Sequence, residues 1–278
     1  MAKSKVLIED GKVKVLSPPK VKRCPLRQTL YGCEEESEAT VKRVLESHIE
    51  ELGMYTSDRV LELEEGPVTF GASEMINDAL RQGLLDAAVL VCEGVGTVIV
   101  DNPKVIQAIG AHMTGILETQ PIPKTRRKLE SLGCSALGDC VIDQTKGYSK
   151  AVDLGYEKIA VTVSGQSANE TKRLREMGER RSRRPLILAV HTTGISKRSA
   201  EALARHADVV WGCASKQVRE VIGPKALLQI GTGIPVFALT PEGKQLVLNR
   251  ALCLRAPLLI QRAKLPSLAA ERQPDPLL

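Results

Sequence analysis

The residues best suited to chemistry follow short apolar runs of the kind that form buried strands. Cys92 and Glu93 come directly after the run 87–91, while His191 and Cys213 stand at the ends of two later runs. The carboxyl ends of parallel strands border the ligand crevice of an open α/β sheet, so we expect these groups to line one crevice. A carboxylate, an imidazole and a thiol can act as acid, base and nucleophile. We therefore predict that Glu93, His191 and Cys213 are catalytic.

Three of the seven cysteines are predicted to converge at this crevice. Cys24 lies in a stretch interrupted by prolines that is free to cover the crevice, and Cys92 and Cys213 follow predicted strands. Three thiolates can hold an iron–sulfur cluster with one open iron, or a soft metal, so all three are predicted metal ligands, although the cofactor remains undetermined. The alternative is that each thiol is a small buried apolar group, since the spacing matches no known ligand motif. We interpret the remaining cysteines as small apolar groups without a role in the site: Cys33, Cys134, Cys140 and Cys253.

Glycine and hydroxyl residues follow the same predicted strands. Free backbone amides at a helix N-terminus bind anions, and glycine lets a ligand approach the backbone closely. An anionic small molecule is therefore the predicted partner, bound at the amides of residues 194–197 or 214–217. The alternative is that these side chains only cap helices. The predicted binding residues are Gly94, Gly96, Thr97, Thr192, Thr193, Gly194, Ser215 and Lys216.

The elements that must position these residues alternate between short apolar runs and helical periodicities. This alternation predicts an α/β fold with a doubly wound, mostly parallel sheet, and Asp10-Gly11 between short alternating runs predicts an N-terminal β-hairpin. Residues 1–36 are assigned to the hairpin and a Cys-Pro loop packed on the main domain, 37–263 to the α/β domain and 264–278 to a flexible, proline-containing tail. The predicted strands after the first run include 158–163, 186–191, 208–211 and 234–239, and the helices include 103–112, 123–132 and 143–154.

Composition narrows the class of protein. Aromatic residues make up 3% of the chain, which leaves few platforms for stacked bases, so nucleic acid is not an expected partner. No apolar run approaches the roughly 20 residues of a membrane helix, and an odd number of dispersed cysteines fits a reducing compartment. We expect a cytoplasmic protein without a membrane partner. The basic segment 172–184 is predicted to be an exposed helix and loop outside the site, although such a cluster can also attract an anionic partner.

Taken together, several segments resemble the methanogenesis marker protein 8 family, whose activity is not assigned. The resemblance covers about residues 5–254 and implies an anaerobic setting in methanogen-type one-carbon metabolism. Related marker proteins there assist the maturation of methyl-coenzyme M reductase or its nickel cofactor. No catalytic residue is implied. The matching segments are 24–26, 92–97, 118–123, 142–144, 191–194, 213–216, 228–232 and 240–241.

Three functions remain open from these observations. The leading hypothesis is an accessory factor or enzyme of anaerobic cofactor metabolism that uses thiols at strand ends, with or without an iron–sulfur cluster or metal. The second is a metal-free α/β enzyme that binds a phosphorylated or carboxylated small molecule. The third is a non-enzymatic component of a protein complex, such as a maturation complex, which the basic clusters favour.

Overall fold

The computed structural model describes residues 1–64, 66–112 and 115–278, apart from the side chain of residue 139. The chain begins with an antiparallel hairpin of β1 (Val6–Glu9) and β2 (Lys12–Val15), which confirms the predicted N-terminal hairpin. Asp10 and Gly11 have φ of 49° and 71°, and a two-residue turn that follows the strand twist requires positive φ at both positions. The hairpin packs on the next long helix through Val13.

Two helices follow the hairpin. The first, α1 (Pro25–Tyr31), lies where an irregular Cys-Pro loop was predicted, so that prediction is wrong. The reason is that Pro25 occupies the first helical turn, where its fixed φ fits a helix and its missing N–H is not needed. The second, α2 (Glu38–Leu52), begins after Ser37, whose side chain accepts from the Thr40 amide, and ends at Gly53 as predicted.

The described residues also form an eight-stranded mixed sheet. Its central strands β3, β6, β7 and β8 run parallel to one another, and antiparallel strands extend the sheet on both sides. The order across the sheet is β5, β4, β3, β6, β7, β8, β10, β9. The strands are β3 (Ala87–Cys92), β4 (Gly96–Val100), β5 (Ser135–Ala136), β6 (Ile159–Ser164), β7 (Leu186–Val190), β8 (Val209–Trp211), β9 (Leu228–Ile230) and β10 (Val236–Ala238).

Helices cover both faces of this sheet. Alternate residues of β3 enter opposite cores: Ala88 and Leu90 pack in one cluster, while Ala87 and Val89 pack in the other. The first cluster is closed by α3 (Ala72–Arg81), α4 (Pro103–Gly110), α5 (Pro123–Ser131) and α9 (Pro241–Cys253). The second is closed by α6 (Gln144–Asp153), α7 (Glu170–Arg180) and α8 (Lys197–His206).

The strand order differs from the predicted doubly wound arrangement. The parallel strands β3, β6, β7 and β8 follow one another in chain order, so their order never reverses. Right-handed crossovers that all step in the same direction place their helices on the same face, which is why α6, α7 and α8 share one cluster. The stretch after β3 also differs from the crossover that joins parallel strands. Cys92 pairs with Gly96 of the antiparallel strand β4, and residues 93–95 form the hairpin turn between the two strands.

Residues 264–278 were predicted to be a flexible tail, but they pack along the carboxyl edge of the parallel strands. Asp275 forms a backbone bridge with Arg23, and the Gln273 side chain is buried against the loop after β9. These long-range pairings carry no local periodicity, which is why the sequence did not predict them. No helix among residues 1–64, 66–112 and 115–278 is long and apolar enough to cross a membrane.

Candidate active site

The turns that follow β7 and β8 form one connected unit at the carboxyl edge of the sheet. Ala189 of β7 pairs with Val210 of β8, and paired strands lie about 5 Å apart, so the two turns start side by side. We call residues 191–194 and 212–215 the strand-end turns. Hydrogen bonds join them from Thr192 Oγ1 to the Trp211 carbonyl (2.5 Å), from the Ala214 amide to Thr193 Oγ1 (3.4 Å) and from the Gly194 amide to the Ala214 carbonyl (3.3 Å).

Each strand-end turn contains a non-glycine residue in the left-handed region. His191 has φ of 53° and Cys213 has φ of 39°, a backbone conformation that costs an L-residue on the order of 1–3 kcal/mol. Strained residues of this kind concentrate where a side chain must point in a particular direction for function. Both were predicted to be catalytic, and the structure brings them to adjacent strand ends.

His191 carries an uncharged imidazole at neutral pH. Desolvation by the surrounding protein, followed by the positive amino terminus of Met1, lowers the pKa of His191 to about 4. His191 is nevertheless an exposed residue. A neutral imidazole has a free nitrogen that can accept a proton.

Two of the three predicted thiol ligands, Cys24 and Cys213, are within range of an electrostatic interaction. Cys24 precedes α1 and is half-buried, as is Cys213. Burial raises the pKa of the Cys24 thiol, backbone hydrogen bonds of Arg27 and Leu26 oppose that shift, and Cys213 adds a smaller contribution that raises the pKa. The convergence of the two thiols on one site stays a prediction.

A buried arginine lies beside Cys213. Arg219 is 3% exposed and interacts electrostatically with Cys213, while burial lowers the pKa of Arg219 to about 10, so it remains a cation at neutral pH. In the described part of the chain it forms no ion pair. Its hydrogen bonds go to Gln273 Oε1 (2.5 Å) and to the carbonyls of Gly212, Cys213, Ser215 and Gly233. Sequence reasoning missed Arg219, because its contacts with the tail lie far along the chain.

Cys92 and Glu93 do not join this site. Glu93 accepts from Arg59 Nε at 2.5 Å, with the two side chains 4% and 0% exposed. Cys92 is fully buried, donates to the Glu93 carbonyl at 3.5 Å and has a pKa raised well above its usual value by burial and then by Glu93. Glu93 was predicted to be catalytic, and in the structure its carboxylate is held by Arg59.

The three-thiol metal site is not supported by the donor geometry. The electrostatic partners of Cys92 are Glu93, Arg59 and Cys134, and neither Cys24 nor Cys213 is among them. Within residues 1–64, 66–112 and 115–278, no group of three His, Cys, Asp or Glu side chains is arranged to hold a metal ion. Cys24 and Cys213 fit a two-thiol site, and Cys92 belongs to the core.

The predicted binding residues Gly94, Gly96 and Thr97 are enclosed by protein. A Cβ on Gly94 would lie 2.7 Å from the Ile122 side chain, and one on Gly96 would lie 2.5 Å from the Val141 carbonyl oxygen. Thr97 is fully buried. Its hydroxyl donates to Gln144 Oε1 at 2.8 Å and accepts from the amide of Asp143 at 2.9 Å. These glycines therefore allow close packing around the β3–β4 turn.

Several of the amides predicted to bind an anion already have partners in the protein, among them those of Gly194, Ser215 and Lys216. The Lys216 amide donates to the Leu278 carbonyl at 2.9 Å, and the Ser215 hydroxyl accepts from the Val218 amide at 3.3 Å. In the other turn, the Ser196 side chain accepts from the Ser199 amide as a helix cap. An anion at the Lys216 amide would have to displace Leu278. Lys216 Nζ itself pairs with Glu220 at 3.7 Å.

Two histidines interpreted as structural from the sequence lie near the buried Arg59. The rings of His48 and His112 have centroids 4.6 Å apart, and His48 Nε2 lies 3.3 Å from the Tyr31 hydroxyl. Their Nδ1 atoms are buried without a hydrogen-bond partner in the described residues. Burial lowers the pKa of His48 to about 3 and that of His112 to about 4, with the cation of Arg59 adding to both shifts.

Fold and site together define an α/β protein with helices on both sheet faces and with the Cys213 thiol, the His191 imidazole and the buried Arg219 guanidinium at the carboxyl edge. The chain belongs to the family described as uncharacterized protein conserved in archaea (DUF2099), whose model matches residues 1–252. It is similar to the uncharacterized protein MJ0054 of Methanocaldococcus jannaschii, with 38% identity over 280 residues that cover 100% of this chain and 97% of the relative. The family range includes both strand-end turns and Cys24.

Proposed function

We propose that this protein is a thiol-dependent α/β enzyme or accessory factor of archaeal anaerobic one-carbon or cofactor metabolism. The proposal rests on the position of Cys213 at a strand end next to that of His191, and on the buried Arg219, which donates to the Cys213 carbonyl at 2.9 Å. Cys213 is the reacting thiol in this proposal and Cys24 is its partner. The resemblance to methanogenesis marker protein 8 and the methanogen relative support the metabolic setting.

The chemistry assigned to the site follows from its charges. A sulfur nucleophile acts as the thiolate, and His191 on the adjacent strand end is assigned to orient the reacting groups as an uncharged hydrogen-bond partner, because its lowered pKa makes it a weak base. Arg219 offers a positive charge for an anionic substrate, since its described partners are uncharged oxygens. We therefore assign an anionic, electrophilic small molecule as the substrate class, which combines the thiol and small-molecule hypotheses.

A metal or cluster version of the site needs further ligands. Cys24 and Cys213 supply two soft donors, and a cluster with one open iron needs a third. The structure supplies no third donor in its described residues, so we derive no step through a metal. Anaerobic reconstitution with iron and sulfide tests this version. A cluster that forms in the wild type and is lost in Cys24→Ser would restore the metal hypothesis.

Complementation tests the proposed function. An archaeal host that depends on its own copy of this family is supplied with variants of the present chain and grown anaerobically. We expect Cys213→Ser and Cys24→Ser to abolish growth, and Cys253→Ser, which removes an exposed thiol, to support it. Equal far-UV circular dichroism and melting temperatures exclude misfolding as the cause. Growth of the Cys213→Ser strain at the wild-type rate would refute the proposal.

A further inference from the structure

A basic groove lies between α7 and α8, on the helical layer that covers one face of the sheet. Its volume is about 330 Å³, which is the size of a small-molecule site. The groove is lined by Asn169, Lys172, Arg173, Glu176, Arg198, Ala202, Arg205 and His206. Lys172, Arg173 and Glu176 belong to the basic segment 172–184, which was predicted to be an exposed helix and loop outside the site, with attraction of an anionic partner as the alternative.

The cations of the groove are largely uncompensated. Arg173, Arg198 and Arg205 are exposed and form no hydrogen bond or ion pair with the described residues. Glu176 pairs with Lys172 at 3.6 Å, and Glu170 interacts with Arg173 electrostatically. Three guanidinium groups of the groove therefore have no carboxylate within ion-pairing distance among the described residues.

The charged groups around His206 show the same excess of positive charge through their effect on its pKa. Burial lowers the pKa of His206, and the cations of Arg205, Arg175 and Lys172 lower it further, whereas Glu176 has the only opposing effect among its described neighbours. Like charges gathered around one groove are costly unless an anion binds there.

The structure assigns to this groove a small phosphate-bearing ligand. Guanidinium groups match phosphate oxygens with paired donors, and three of them surround the space together with the Asn169 amide. Among the described lining residues the imidazole of His206 is the only ring, so a nucleobase would find little to stack on. The ligand class is therefore a compact di- or polyphosphate group. This assignment is independent of the thiol chemistry proposed above.

Calorimetry with inorganic pyrophosphate at low ionic strength tests the assignment on the full chain. We expect saturable binding that weakens as salt is added. The double variant Arg173→Gln/Arg205→Gln should weaken binding at least about tenfold, because it removes two charge-assisted contacts. The matched control Arg180→Gln removes an exposed cation of the same helix that lies outside the groove, and should bind like the wild type. Cys213→Ser should also bind pyrophosphate normally, which separates this test from the thiol site.

Three results would overturn the assignment. The first is the absence of pyrophosphate binding by the folded wild type. The second is an equal loss in Arg180→Gln, which would show only general attraction of anions. The third is a preference for hexaglutamate or for single-stranded RNA over pyrophosphate, since this would identify an acidic-protein or nucleic-acid surface instead.

Discussion

Acidification should destabilise this protein through the buried pair His48 and His112. The folded-state pKa values, about 3 and about 4, lie below the ordinary value of 6.5, so the unfolded chain binds more protons as the pH falls. The stability that these groups provide is therefore complete above pH 6.5 and is lost progressively as the pH falls towards their folded pKa values.

The magnitude follows from the shift of His48, which is 1% exposed. At pH 5 an unfolded histidine is almost fully protonated and the folded one is not, which corresponds to a loss of about 2 kcal/mol in the free energy of unfolding. His112 is partly exposed, so solvent screening makes its contribution smaller.

Urea unfolding followed by circular dichroism at pH 8, 6 and 5 measures this loss. The variant His48→Gln should be less stable than the wild type at pH 8 but should lose about 2 kcal/mol less between pH 8 and pH 5. Lys42→Gln, an exposed position on the same helix, should retain the wild-type pH dependence. A wild-type free energy that stays constant down to pH 5, or a full drop in His48→Gln, would refute the reasoning.

Two further predictions concern packing away from the site. Asp208→Asn should lower the free energy of unfolding by about 3–5 kcal/mol, because the fully buried carboxylate of Asp208 accepts from Arg175 at 2.5 Å. The exposed variant Arg180→Glu should change it by no more than about 0.5 kcal/mol. Thermal melting of both variants checks this prediction, and equal melting temperatures would contradict it. Gly96→Ala should lower the free energy of unfolding, measured in urea, by about 2–3 kcal/mol more than Gly83→Ala does. Both glycines have positive φ, but only a Cβ at position 96 would meet backbone atoms. Similar losses in the two variants would contradict this reasoning.

Local patterns were sufficient to predict many elements of this fold. The runs at 158–163 and 186–191 correspond to strands Ile159–Ser164 and Leu186–Val190, because a buried strand needs only a short apolar segment with a turn after it. Ser37 and Gly53 similarly mark the ends of one helix, since capping depends on neighbouring residues. Strand order was not predictable in this way, because it depends on which distant runs pair.

The site was only partly predictable for the same reason. The predicted positions of His191 and Cys213 at strand ends agree with the structure, in which the two residues follow adjacent strands. It failed for Glu93, because the partner of that carboxylate is Arg59, 34 residues earlier, and nothing in the local pattern of either residue signals the pairing. The role of Arg219 depends on Gln273 in the tail, 54 residues later, and was missed for this reason.

The central proposal is that Cys24 and Cys213 form one two-thiol site from which Cys92 is excluded. Phenylarsine oxide tests it most directly, because its trivalent arsenic bridges two sulfurs only when both can reach the same atom. Intact-mass spectrometry of the anaerobic, folded protein should show one bridged arsenical in the wild type and in Cys92→Ser, and none in Cys24→Ser or Cys213→Ser. Loss of the bridge in Cys92→Ser, or its persistence in Cys213→Ser, would contradict the account.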